Sequence, residues 1–136
     1  MIFLDTSAIY ALADLSDPNH GKSREAFRRL LGEGEDVLTH SYVLVEATAL
    51  LQHRLGLASA IKFLEDSDGF HVHWVSSQDH QEAVGILKDR GSRGLSLVDC
   101  TSFIIMRHYQ VNSALAFDAD FEQEGFVLYP DKKANR

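Results

Sequence analysis

Short apolar runs alternate with longer amphipathic segments from one end of this chain to the other, and few folds accept that alternation. Residues 1–4, 36–40, 70–75, 114–117 and 126–129 have the composition and length of strands. Between them, residues 8–12, 20–31, 42–54, 58–65 and 77–90 read as helices, and a further helix opens at Ser96 and runs through His108. Thr6 and Ser7 are suitable N-caps for the first helix, and Ser41 for the third. Ser96 followed by Asp99 has the spacing of a capping box, with aspartate at the acidic position. In helix 20–31, Ala26, Phe27, Leu30 and Leu31 mark an apolar face opposite Lys22, Arg24, Arg28 and Arg29. Helix 42–54 is so largely apolar that a buried helix is expected there. Pro18 and Pro130 fall in connections, and residues 132–136 form a polar tail. Strands alternating with helices predict an α/β sandwich around a largely parallel sheet. In such sheets ligands bind outside the carboxyl ends of the strands.

A chain of 136 residues, 45% hydrophobic and 24% charged, suits one compact domain over 1–136 whose core needs no covalent staple. The lone cysteine, Cys100, rules out an internal disulfide and fits a reducing compartment. No basic residue precedes the first apolar run, and Asp5 interrupts it. Nothing approaches the ~18 apolar residues of a membrane span. A cytoplasmic protein with no membrane association is expected. The net charge of −7 opposes nucleic-acid binding through a broad basic surface. That objection weakens where acids converge on divalent cations. Two Mg²⁺ ions would cancel more than half of the excess and supply phosphate affinity locally.

Four acids stand in unusual company. Asp5 follows Ile2-Phe3-Leu4, Glu46 lies within Val43-Leu44-Val45-Glu46-Ala47, Asp99 follows Leu97-Val98, and Asp118 follows Leu115-Ala116-Phe117. A carboxylate in apolar surroundings is costly unless it is paired, hydrogen-bonded or metal-bound. Each has an innocent reading alone: a helix cap for Asp5, a hydrogen bond from Tyr42 or a histidine for Glu46, a favourable helix dipole for Asp99, a turn for Asp118. Together they fit one place. Asp5 and Asp118 project from strand ends on one rim, and Asp99 and Glu46 reach it from the first turns of their helices. Four carboxylates facing one another cannot all ionise without cations. Hard oxygen ligands in that number suit Mg²⁺ or Mn²⁺, which activate water and stabilise the leaving oxygen of a phosphodiester.

The segments Ile2-Phe3-Leu4-Asp5-Thr6-Ser7-Ala8, Val45-Glu46-Ala47, Leu95-Ser96-Leu97-Val98-Asp99-Cys100 and Ala116-Phe117-Asp118-Ala119-Asp120-Phe121 carry a resemblance to the PIN-domain family, and within it to the VapC-type toxin nucleases. They occur in the family's order and span essentially the whole chain. The resemblance implies a three-layer sandwich around a central, mostly parallel five-stranded sheet and Mg²⁺- or Mn²⁺-dependent endoribonuclease activity. By position, Asp5, Glu46, Asp99 and Asp118 correspond to the family's acidic quartet, with Asp120 a further possible ligand. Thr6 or Ser7 matches a hydroxyl that supports the first aspartate. Hydrolysis of RNA with in-line attack by a metal-activated water, leaving a 5′-phosphate and a 3′-hydroxyl, is the implied chemistry. A cognate antitoxin and a homodimer are the implied partners.

The remaining candidates are weaker. His71 and His73 share a strand face, as a zinc pair would, but no third ligand is near in sequence. Cys100 sits in an apolar helix and reads as a small buried hydrophobe. Arg24, Arg28 and Arg29 read as a solvated face, whereas Arg93 lies in the loop leading into Asp99 and is a candidate RNA-backbone contact. Two other functions compete. A phosphohydrolase with Asp5 as nucleophile wants a second aspartate where Ser7 stands. A non-catalytic PIN-like module would bind RNA or protein without cutting.

Overall fold

The computed structural model describes residues 1–130, so the tail expected at 132–136 lies outside the described residues. Five strands, β1 (Ile2–Leu4), β2 (Val37–His40), β3 (His71–His73), β4 (Ser113–Leu115) and β5 (Val127–Leu128), form one sheet in the order β3-β2-β1-β4-β5. Every pairing is parallel. The helices are α1 (Thr6–Ala13), α2 (His20–Gly32), α3 (Ser41–Leu55), α4 (Leu57–Asp66), α5 (Ser77–Arg90), α6 (Leu97–His108) and the one-turn α7 (Asp120–Gln123). The expected alternation and the parallel five-stranded sheet are present. Only α7 lacked a sequence signal, because a single turn is too short to show a period.

Helices cover both faces of the sheet, so its central strands are apolar throughout instead of alternating. Ile2, Phe3 and Leu4 are all buried. Phe3 meets the ring of Phe121 with centroids 6.0 Å apart, and Phe121 meets Phe103 of α6 at 5.3 Å. Leu4 and Val37 turn the other way and, with Ile9, Phe27, Leu51 and Phe63 of α1–α4, line an apolar cavity of about 450 Å³. The layers are therefore α1–α4, sheet, and α5–α6 with α7.

Four local expectations change. The N-cap of α1 is Asp5 and not Thr6 or Ser7. The N-cap of α3 is His40, whose Nδ1 accepts the Val43 amide at 3.4 Å; this frees Ser41 Oγ to accept the Val75 amide at 2.9 Å. Nor is α3 buried all round. Val43, Leu44, Ala47 and Leu51 face the core, while Val45 is 69% exposed and Glu46 is exposed. It packs in an outer layer, so only one face has anything to bury against. Leu31 is likewise 73% exposed, because α2 seats on Ser23, Ala26 and Leu30.

Glu124, just after α7, fastens the far side of the sandwich. Its side chain is 6% exposed and accepts hydrogen bonds from Arg90, at the end of α5, and from Arg107, in the last turn of α6. The Arg107 contact is 2.6 Å, and its guanidinium also lies 5.3 Å over the Phe126 ring. The bond from Arg90, helped by Arg107, holds the Glu124 carboxyl down at about 2. A carboxyl depressed in the fold stabilises it above the unfolded-chain value near ~4.3 and loses that contribution as pH falls through the folded value. Glu124→Gln should therefore cost about 1–2 kcal/mol at neutral pH, at the modest end because both guanidinium groups are half exposed. In urea melts the gap from wild type should close between about pH 5 and pH 2. A gap independent of pH would show that charge is not what Glu124 contributes.

Candidate metal centre

From β1 the chain builds outward to β3, then returns to lay β4 on the other side of β1. The strand order reverses between β1 and β4, and a parallel sheet opens a crevice at the carboxyl ends of such a pair. Asp5 stands at the end of β1, and its amide donates to Leu115 O at 3.1 Å, across the β1–β4 pair. Its backbone is extended, and its Oδ2 accepts from Ser7 N at 3.2 Å and from Ser7 Oγ at 2.6 Å. Ser7 Oγ in turn accepts the Phe117 amide at 3.0 Å. One hydroxyl thus binds the first acid to the segment that carries Asp118. Of the two hydroxyls expected to support Asp5, Ser7 does so. Thr6 Oγ1 is buried and, among the described residues, has no hydrogen-bond partner.

Asp99 arrives from α6 in a capping box: the Ser96 amide donates to Asp99 Oδ2 at 3.1 Å, and the Asp99 amide donates to Ser96 Oγ at 3.0 Å. The innocent reading of Asp99 is thus also true. The box engages one carboxylate oxygen and leaves the other for a ligand. Asp118 Oδ1 accepts the Asp120 amide at 3.0 Å, a turn that starts α7 and sets Asp120 beside it. One carboxylate oxygen from each of Asp99, Asp118 and Asp120 lies within 4.8 Å of the other two. Around an octahedral ion with bonds of about 2.1 Å, ligand oxygens stand about 3.0 Å apart when adjacent and about 4.2 Å when opposed. The three donors fit one hard divalent cation after a small contraction. Asp120 has thereby moved from the margin to the centre, and its signal in the sequence was the Asp118-Ala119-Asp120 spacing.

Asp5 borders this trio, and Glu46 in turn lies near Asp5. Burial raises the Asp5 pKa, and the charges of Asp118 and Glu46 push the same way against the hydrogen bonds from Ser7. Burial lifts Asp99 to about 6, assisted by Asp5 and Asp118 and opposed by Ser96. Asp120 also reaches about 6, through burial, its hydrogen bond with Asp118, and the charges of Asp118 and Asp99. Glu46 stands on the exposed face of α3, with its charge felt at Asp5. A cavity of about 730 Å³ leads away from Asp118 between α2 and the ends of β4 and β5, with Lys22, Phe117 and Tyr129 in its walls.

The other polar candidates are used elsewhere. His71 Nε2 and His73 Nδ1 both meet Tyr109 Oη, at 3.3 and 2.9 Å, and His73 Nε2 meets Asp79 at 2.8 Å. Among the described residues the aspartate trio is the only group of three or more ligands placed to hold a metal, so no third ligand completes a zinc site at His71 and His73. Cys100 is buried, and burial pushes its thiol up, as suits a small hydrophobe. Arg93 is exposed and, among the described residues, in no ion pair, whereas Arg90 is held by Glu124.

The PIN domain model matches residues 2–126 of this chain. Two relatives, both named 23S rRNA-specific endonuclease VapC20, from Mycobacterium tuberculosis strains CDC 1551 / Oshkosh and ATCC 25618 / H37Rv, are each 35% identical over 129 residues. The match covers 93% of this chain and 96% of theirs. The crystal structure of Mycobacterium tuberculosis VapC20, described as a sarcin-ricin loop cleaving toxin, aligns with a TM-score of 0.81 at 35% identity. That alignment covers 93% of this chain and 97% of that one.

Raised carboxyl values carry a stability consequence. In the fold Asp99 and Asp120 keep their protons up to about pH 6, and in the unfolded chain only to about pH 4. The metal-free fold gains fully from this below the unfolded value and loses the gain as pH rises through about 6. Asp120→Asn removes one repelling charge. In EDTA at neutral pH it should raise the melting temperature by about 4 °C, corresponding to about 1 kcal/mol, and the rise should vanish near pH 4. Mn²⁺ should reverse the order, stabilising wild type more than the variant. A variant no more stable than wild type in EDTA would mean that the carboxylates do not strain the fold.

Proposed function

The chain belongs to the PIN-domain family, and on that premise we propose that it is a metal-dependent endoribonuclease of the VapC toxin kind. The observation that carries this reading is the meeting of Asp99, Asp118 and Asp120 beside Asp5 at the strand-order reversal. Asp5, Asp99 and Asp118 act as metal ligands with Asp120 among them, and Glu46 completes the catalytic set from α3. Mg²⁺ or Mn²⁺ held there supplies a water of lowered pKa and positive charge at the scissile phosphate. Ser7 fixes the rotamer of Asp5 and ties it to the backbone at Phe117. Glu46, on an exposed face, is free to orient the attacking water from the open side. The products are a 5′-phosphate and a 3′-hydroxyl.

Asp5 as a covalent nucleophile is less well served, since it is 5% exposed and its Oδ2 already accepts two bonds from Ser7. The substrate named for the relatives, 23S ribosomal RNA, and the loop named for the solved structure are the first to try. An antitoxin and a second copy of the chain are the proposed partners, and residues 1–136 are read as one domain. The cytoplasm is the proposed location; among the described residues no helix is long and apolar enough to cross a membrane.

The decisive comparison is wild type against Asp5→Asn on total RNA, with Mg²⁺ or Mn²⁺ and with EDTA. Wild type with metal should cut, and the variant should lose at least about 100-fold in rate, as should wild type in EDTA. Equal cutting by the variant would sink the assignment. Metal binding by calorimetry without any cleavage would favour the non-catalytic module. Arg93 is read as a contact to the RNA backbone. Arg93→Ala should weaken binding to all sequences alike and lower the slope of log affinity against log salt by about 1. An unchanged slope would place Arg93 away from the RNA.

A further inference from the structure

Trp74 is the only tryptophan of the chain, and it is 72% exposed. It follows β3 directly, at the same carboxyl edge of the sheet as Asp5. The register sets His73 beside His40, so Trp74 comes level with Ser41, and the hydrogen bond from Val75 N to Ser41 Oγ fixes that alignment. β3 is two strand positions from β1, so about 10 Å of sheet separates Trp74 from the end that carries Asp5.

After Val75, its neighbours in the chain are polar. Ser76, Ser77 and Gln78 are exposed after it, and His73 before it is held by Asp79. Of the other large exposed apolar residues, Leu15, Leu31, Leu57, Ile61 and Leu64 lie on or between α1, α2 and α4, Val45 lies on α3, Met1 precedes β1 and Val127 lies on β5. A protein partner recognises a continuous apolar patch. An exposed indole followed in the chain by Ser76, Ser77 and Gln78 suits a nucleobase, which has an apolar face and polar edges. Charge points the same way. With a net charge of −7, the chain has few cations for phosphates, so RNA affinity must draw on contacts that do not depend on salt. Base stacking on an aromatic ring is such a contact.

We propose that Trp74 is a stacking platform for single-stranded RNA, holding a base that neighbours the nucleotide at the carboxylate cluster. The proposal rests on the endoribonuclease reading and adds where the substrate lies: across the carboxyl edge, from β3 toward β1 and β4.

The single tryptophan makes the test direct. A short oligoadenylate, and an abasic oligonucleotide of the same length, would be titrated into the protein in Ca²⁺ while indole emission is followed. The oligoadenylate should quench Trp74 to saturation, and the abasic strand should not. By fluorescence anisotropy of labelled oligoadenylate, Trp74→Ala should raise Kd roughly 5- to 100-fold and Trp74→Phe far less, with Mn²⁺ affinity and the salt slope unchanged. Oligoadenylate that binds without quenching, or an alanine variant with wild-type Kd, overturns the stacking site and leaves the nuclease reading standing. Emission that changes with protein concentration and not with RNA overturns it in favour of a second copy of the chain at Trp74. Absence of oligoadenylate binding by wild type overturns the stacking site, and the cleavage comparison with Asp5→Asn decides separately whether the nuclease reading stands.

Discussion

Across the β1–β4 pair, Asp5 gives its amide to Leu115, and two residues later Ser7 Oγ takes the amide of Phe117. These bonds fix the distance between the two chain segments that end in Asp5 and Asp118. The sheet pairing that supplies them is parallel and buried, with Phe3 beside Ala114 and Leu4 beside Leu115. A one-residue slip would turn Phe3 away from Phe121 and put Leu4 in its place, so the register is held by the core on both faces. Asp99 and Asp120 are then set by short-range devices, a capping box and a turn, on elements packed against that frame. Precision at the site comes from backbone bonds a few residues from each carboxylate, and it needs no long side-chain network.

Gathering these acids opposes folding when no cation is present. Burial and mutual repulsion raise Asp5, Asp99 and Asp120 together. Bonds placed elsewhere compensate. Glu124 sits one turn beyond Asp120 and is gripped by Arg90 and Arg107, so the segment that carries two of the repelling carboxylates is anchored where charges of opposite sign meet. The same arrangement would make the affinity of a metal held there depend on pH, because protons and cations compete for the same oxygens between about pH 4 and pH 6.

Much of this was legible in the sequence. Asp5 and Asp118 follow apolar runs, and the parallel α/β rule sends such strand ends to one rim. Asp99 announced itself through Ser96. What escaped was set by packing between elements distant in the chain. Ser41 has the composition of an N-cap, yet His40 takes that place because Val75, more than thirty residues on, claims the Ser41 hydroxyl. The apolar content of α3 suggested burial, but an outer-layer helix has one inner face, and Glu46 lies on the other. Asp120 was a further possible ligand in the sequence, and the turn at Asp118 brings it beside Asp99. Trp74 could not be placed from the sequence, since only the register of β3 sets it at the carboxyl edge of the sheet.

The histidines show why carboxylates must carry the chemistry. His40, at the end of β2, is next to β1 and would be the natural general base for this crevice. It is fully buried, bonded through Nε2 to Ser102, and pushed down to about 3, chiefly by burial and further by His73, so it stays neutral and serves as a cap. His73 is committed to Asp79 and Tyr109, and His80 meets Tyr42 at 2.7 Å. Each is held in a contact that fastens β3, α3, α5 or α6, on the side of the sheet away from β4. On the proposed reading, a water attacking phosphorus at Asp99, Asp118 and Asp120 would find carboxylate oxygens beside it. Such a reaction would call for a hard cation, because carboxylates of ordinary basicity are too weak to deprotonate water unaided at neutral pH.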